Sequence, residues 1–152
     1  MNGLLQLEQR LNALLANISP KQRRQLAMKI GRQLAQSQRR RIKAQQNPDG
    51  SDFEPRKRQK ERSKKGRIKQ LAMFKKLGTA RFMKTRSNAD QVSIVFSGSN
   101  ATIANVHQYG LHSRVRKDRD YKIKYAQREL LGFTDYDLEV IEKLVYEGIA
   151  NV

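Results

Sequence analysis

Leucine and isoleucine open the chain at helical spacing. Leu4, Leu7, Leu11, Leu14 and Ile18 recur at alternating intervals of three and four, and Leu5 and Leu15 widen the stripe. That period predicts an amphipathic helix, ending near Asn17-Ile18-Ser19-Pro20. Ser19 has the chemistry of an N-cap and Pro20 that of a first helical residue. Leu26, Ile30, Leu34 and Ile42 then mark one face of a second helix. Its other faces carry Arg23, Arg24, Lys29, Arg32, Arg39, Arg40 and Lys43. The short connection predicts that the two helices form an antiparallel hairpin.

The helical pattern stops at Asn47-Pro48-Asp49-Gly50-Ser51, which is dense turn chemistry. Residues 56–69 contain almost nothing apolar, and such a block is expected to stay solvated and mobile until a partner orders it. Leu71, Met73, Phe74 and Leu77 predict a short helical stretch capped by Gly78. Residues 80–85 and 92–96 predict two strands joined by a hairpin loop over 86–90; Val92-Ser93-Ile94-Val95-Phe96 is the best strand by composition. Residues 101–109 predict a short helix ended by Gly110, and 111–120 a basic loop. Tyr121, Ile123 and Tyr125 alternate with Lys122 and Lys124, the pattern of a half-buried strand. Thr134 and Asp137 have the spacing of a capping box. They open a last amphipathic helix of Leu138, Ile141, Leu144, Val145 and Ile149, with Asp135, Asp137 and Glu139 at its positive end. The fold class is therefore α+β, in one domain over residues 1–152: an N-terminal helical hairpin, a small antiparallel sheet, a short middle helix and a C-terminal amphipathic helix.

Charge adds what periodicity does not. Among 152 residues, 32 are Lys or Arg and 14 are Asp or Glu, a formal net charge of +18. So basic a surface attracts polyanions: nucleic acid, acidic protein faces or anionic membranes. The cations concentrate in residues 39–43, 56–69 and 114–119. Arg39, Arg40, Arg41, Arg56, Arg58, Lys60, Lys64, Lys65, Arg114 and Arg116 are the candidates for contact with DNA or an acidic partner. Aromatic residues do not interleave these blocks, which argues against base stacking on a single strand. It favours contact with phosphates or acidic side chains without sequence readout.

Several chemistries lack their residues. Cysteine is absent, which removes disulfides, Cys-based zinc sites and a thiol nucleophile. His107 and His112 are the only histidines, too few for a metal site, and His107 is expected to pack at a helix end with Tyr109. No serine lies in Gly-x-Ser-x-Gly and no glycine-rich nucleotide loop occurs. No catalytic role, cofactor or small-molecule substrate is expected. No apolar run approaches the roughly 20 residues that cross a bilayer, and the first residues lack a signal-peptide pattern. A protein made and used in the cytoplasm, with no membrane partner, is the expectation. The turn at residues 47–51 has two readings, a phosphate-binding nest or a tight redirection of the chain after a long helix. Phe53 would dock that loop on the core or on a neighbouring subunit.

The series Arg41-Ile42-Lys43-Ala44-Gln45-Gln46-Asn47-Pro48-Asp49-Gly50-Ser51, followed by Phe53, Pro55, Arg56 and Lys57, resembles the phage virion morphogenesis family. That family includes tail-completion proteins of temperate contractile-tailed phages. His107-Gln108-Tyr109-Gly110 and Arg128-Glu129-Leu130-Leu131-Gly132-Phe133 agree with it in order and spacing. Two features depart from the family pattern: Phe53 stands where Trp is expected, and the stretch after Arg56 is unusually basic. The resemblance implies a virion protein of the tail or neck that finishes the tail and makes it competent to join the DNA-filled head. It implies a ring, with other neck and tail proteins as partners, and a ring needs a heterologous interface that closes by rotation. Apolar residues in or beside loops, Phe53, Tyr109, Leu130 and Leu131, are the candidates for that contact. The competing function class is a nucleic-acid-binding module that uses the basic segments and binds with steep salt dependence.

Overall fold

The structure is a computed structural model and describes residues 2–57 and 72–150. Among these residues the elements run α1 (Asn2–Leu15), α2 (Pro20–Lys43), β1 (Met83–Ser87), β2 (Val92–Phe96), α3 (Asn100–Tyr109), β3 (His112–Arg114), β4 (Lys122–Lys124) and α4 (Asp135–Ala150). The fold class is α+β, as the residue pattern predicts. No helix among the described residues is long and apolar enough to cross a membrane.

Local chemistry sets the helix starts. Ser19 Oγ accepts the Gln22 amide at 3.3 Å, and Gln22 Oε1 accepts the Ser19 amide at 3.1 Å. This reciprocal box fixes the first turn of α2 behind Pro20. At α4, Thr134 N donates to Asp137 Oδ2 at 2.9 Å and Asp137 N to Thr134 Oγ1 at 3.0 Å.

Side-chain contacts give the helix directions. A Cβ on Gly3 would lie 3.6 Å from Leu138, and Arg10 pairs with Glu142 at 3.2 Å; α1 therefore runs alongside α4 in the same sense. Leu26 packs on Gly148, and Ser37 Oγ donates to Asp137, so α2 runs against α4. It follows that α1 and α2 run antiparallel, the direction expected of a hairpin, but they make little direct contact with each other, and α4 packs against both. Leu7, Ile18, Leu26, Ile30, Leu34, Ile141 and Val145 form the resulting core. The β1–β2 hairpin lies across α2 at Gly31, where a Cβ would come within 2.6 Å of Thr85 and 3.0 Å of Val92.

A second core gathers Ile42, Phe53, Met73, Leu77, Ala104 and Leu130. It explains one departure from the predicted elements. Residues 73–78 form turns and not a helix, while Leu71 falls outside the described residues. Met73 N donates to Gln45 Oε1 at 2.7 Å, Gln45 Nε2 donates to Met73 O at 2.9 Å, and Phe74 has φ 64°. A side-chain amide thus takes the backbone groups that a helical turn would have used, and Phe74 turns the chain through the left-handed region.

The β region departs in three further ways. β1 begins at Met83, because Thr79 O accepts Phe82 N and Met83 N in a preceding turn; its hairpin partner β2 has the predicted bounds, with Met83 opposite Phe96 and Ser87 opposite Val92. Residues 112–114, expected in a basic loop, form β3 and pair with β4, His112 opposite Lys124 and Arg114 opposite Lys122. The strands make two separate antiparallel ladders, β1–β2 and β3–β4, where the sequence suggested one small sheet. Strand-to-strand assignment is non-local, so composition alone does not distinguish one sheet from two ladders.

Candidate assembly surface

Between β4 and α4 the chain crosses the fold outside any strand, through residues 125–133. Buried backbone without partners is costly, and side chains from distant elements supply them. Gln108 of α3 receives Leu131 N on Oε1 at 2.9 Å and donates Nε2 to Leu131 O at 2.8 Å. Gln38 of α2 does the same for Gly132, at 3.1 Å and 2.8 Å. Asn47 Oδ1 accepts Glu129 N at 2.9 Å. The Gln108 and Gln38 amides each imitate the two-bond pairing of a neighbouring strand.

Arg41 lies at the centre of this strap. It is 7% exposed. Nη1 donates to Gln46 O at 3.0 Å and Glu129 O at 2.7 Å, and Nη2 to Gln38 Oε1 at 2.5 Å and Leu130 O at 2.8 Å. Burial pushes its guanidinium below the usual value, while the carboxylates of Asp137 and Glu129 push the other way. A buried cation bound to carbonyls in this manner ties the end of α2 to the strap. Arg41 is thus not available to DNA or to an acidic partner, contrary to the expectation from its basic block.

The turn at residues 47–51 spends its own donors. Asn47 N donates to Ser51 O at 2.7 Å, Gly50 N to Asn47 O at 3.0 Å and Ser51 N to Asp49 Oδ1 at 2.8 Å. Gly50 sits at φ 88°, a conformation that favours glycine. The Ser51 hydroxyl and amide hold the Asp49 carboxyl below its ordinary range. With those amides engaged, the geometry is that of a chain reversal and not of an open anion nest. Pro48 packs on Gly132, where a Cβ would come within 3.1 Å of Pro48 Cβ and closer still to Cγ.

Arg128 forms a second clamp. It is buried and donates Nε to Glu54 O at 2.6 Å and Nη2 to Pro55 O at 3.2 Å. Its Nη1 lies 3.1 Å from His107 Nδ1, which therefore acts as acceptor. The His107 ring stands edge-on to Phe74 at 4.7 Å and to Tyr125 at 5.1 Å, and not against Tyr109 as expected. Burial, then Arg128 and Arg56, lower its pKa to about 4. A histidine whose folded pKa is depressed contributes stability that is complete above its unfolded value of about 6.5 and is lost as pH falls towards the folded value. Stability is expected to decline between pH 6.5 and 4, read by urea midpoints. His107→Asn, which keeps an acceptor near the Nδ1 position, is expected to flatten that decline; an unchanged slope would assign it to other groups.

The four residues expected at a subunit contact separate. Phe53 is 4% exposed and Leu130 is 0%; both are packed in the second core, Phe53 edge-on to Phe74 at 5.8 Å. Leu131 is half-buried, and Tyr109 is 64% exposed. Tyr109 is therefore the one of the four whose side chain is largely exposed. Among the basic candidates, Arg40, Arg56, Arg114 and Arg116 are exposed, while Arg39 is half-buried and donates to Gly78 O at 3.1 Å. Arg58, Lys60, Lys64 and Lys65 lie outside the described residues. Sequence reasoning missed Gln38, Gln108 and Arg128, whose roles depend on residues far away in the chain. One signal was available: Gln38 and Arg41 continue the apolar face of α2, four and seven positions after Leu34.

Among the described residues, no three His, Asp or Glu side chains are grouped to hold a metal ion. The three sequence motifs at residues 41–57, 107–110 and 128–133 instead converge on one structural joint.

Comparison with known proteins points the same way. The model of the phage virion morphogenesis family matches residues 3–149. Tail completion protein S of Escherichia phage P2 is 44% identical over 146 residues, which is 95% of this chain and 96% of that protein. No solved structure matches.

Proposed function

The chain belongs to the phage virion morphogenesis family, and from that premise we propose that it is a structural protein of phage tail assembly. It completes the tail and helps to join it to the head, as a ring of identical copies at the neck. The observation that carries this reading is the 44% identity to a tail completion protein across 95% of the chain. All three motif blocks lie inside that span. Its mechanism is assembly and not turnover: the strap makes a rigid platform of α2, α3 and α4, and exposed side chains such as Tyr109 meet the neighbouring neck and tail proteins.

Deleting the gene from its phage tests the role. Lysates are expected to contain filled heads and separate tails by electron microscopy, and added purified protein is expected to restore infectious particles. Joined, infectious particles at normal titre from the deletion would overturn the proposal. Light scattering in high salt, with imaging of the same sample, tests the ring.

A nucleic-acid contact is the second reading, favoured by the exposed Arg40, Arg56, Arg114 and Arg116 on a chain of charge +18. It predicts that the isolated protein binds duplex DNA with log K falling steeply as log salt rises, by about 0.9 per phosphate neutralised. Binding that is weak and insensitive to salt would remove it.

A further inference from the structure

Charge is unevenly placed on this fold. The β3–β4 hairpin, residues 112–124, carries six cationic side chains against two carboxylates, a net +4. Helix α4 carries five carboxylates against one lysine, a net −4. Among the described residues the hairpin pairs only with itself and joins no other ladder. Arg114–Asp120 at 3.2 Å and Arg116–Asp118 at 3.4 Å brace its tip. Lys117, Arg119, Lys122 and Lys124 have no ion-pair partner among the described residues. Val115 is 48% exposed and Tyr121 69%.

The outer face of α4 is its counterpart. Tyr136, Glu139, Lys143 and Tyr146 follow at helical spacing and are all exposed, Tyr136 at 68% and Tyr146 at 50%. Asp137 is buried, Glu142 pairs with Arg10, and Glu147 pairs with Lys143 at 3.9 Å. Asp135 and Glu139 are left without an ion-pair partner among the described residues. Each surface thus joins exposed tyrosine to uncompensated charge, with opposite signs. Interfaces favour aromatic anchors at their centres and charged rims of complementary sign.

We propose that the outer face of α4 in one copy receives the β3–β4 hairpin of a second copy. This deepens the ring reading above and rests on it. The two surfaces are different patches of one chain, so the contact is heterologous, and its repetition generates a closed ring when the rotation closes. It also gives a chain of charge +18 a way to meet itself: α4 is the acidic helix of the fold, so the hairpin approaches attraction there. Screening by salt should weaken the contact.

The absence of cysteine makes the test clean, because any disulfide must join introduced residues. Two double variants, Lys117→Cys with Glu139→Cys and Tyr121→Cys with Tyr136→Cys, replace exposed side chains. After oxidation, at least one is expected to give a ladder of covalent multimers that ends at the ring size. Each single variant is expected to stop at dimers. In parallel, Glu139→Lys is expected to raise the protein concentration needed for assembly about tenfold, and Lys117→Glu added to it to recover most of that change. Circular dichroism confirms that every variant is folded. Oligomers by light scattering with no ladder and no effect of charge reversal overturn this contact and leave the ring reading standing. The same holds if duplex DNA shields the hairpin cysteines while the oligomer persists without a ladder. A protein that stays monomeric at every concentration and salt removes the ring reading and this contact together.

Discussion

Arg41→Ala is expected to lower the free energy of unfolding by about 3–5 kcal/mol, while Arg40→Ala stays within about 0.5 kcal/mol. The two arginines are adjacent in one basic run and differ only in which way α2 points them. Arg40 is exposed; Arg41 is buried and feeds three backbone carbonyls and the Gln38 amide oxygen. Removing its guanidinium strands acceptors at Gln46, Glu129 and Leu130, each worth about 1–3 kcal/mol when buried and unpaired. It also leaves the buried Asp137 without the cation that Arg41 contributes to its surroundings. Arg41→Lys should recover less than half of the loss, because an ammonium is a point charge and does not fork to four acceptors. Urea unfolding with an unchanged m-value gives the comparison. A loss under about 1 kcal/mol for Arg41→Ala would mean that water replaces the guanidinium and that the strap does not depend on it.

The second large effect concerns size, not charge. Gly132→Ala is expected to cost about 1–3 kcal/mol, because the added methyl meets the Pro48 ring, which has no flexible end to move aside. Pro48→Ala should be mildly destabilising alone and should rescue most of the Gly132→Ala loss. A double-mutant cycle is then expected to show a coupling of about 1 kcal/mol or more. Additive effects would place the turn and the strap further apart than the structure has them. The cycle also separates contact from conformation, since a backbone requirement at Gly132 would not be relieved by trimming Pro48.

What the sequence revealed and what it concealed divide along the distance between interacting residues. The cap at Ser19, the box at Thr134 and Asp137, the strand at Val92–Phe96 and the end of α3 at Gly110 depend on neighbours within a few positions. All were legible from spacing and residue type. The helical hairpin was legible as a direction, but not the way α4 packs on both of its members. Arg41 looked like part of a solvated cationic block, because composition treats Arg39, Arg40 and Arg41 alike. Its place on the Leu34 face is the local trace of its burial. Phe53 and Leu130 looked like partner contacts because they flank loops, yet those loops fold over a second core. Gln38 shares the Leu34 face, but the side-chain roles of Gln108 and Arg128 had no local trace, since their partners lie between 21 and 74 positions away. Family resemblance carried the function further than geometry did, and geometry explains why the motif residues take the types they do.

The strap has a consequence in time. Gln38, Arg41 and Asn47 bond to residues 129–132, across separations of 82 to 94 positions. Contacts so remote must close a long loop before they repay its entropy, and topologies rich in them fold slowly. On the ribosome, α2 emerges well before the segment that satisfies Arg41. Until then the end of α2 has no built partner for its buried guanidinium, and the second core lacks Leu130. The chain is therefore expected to reach its native state only once residues 129–132 have emerged, in a late step whose rate is set by the search of that segment for the end of α2.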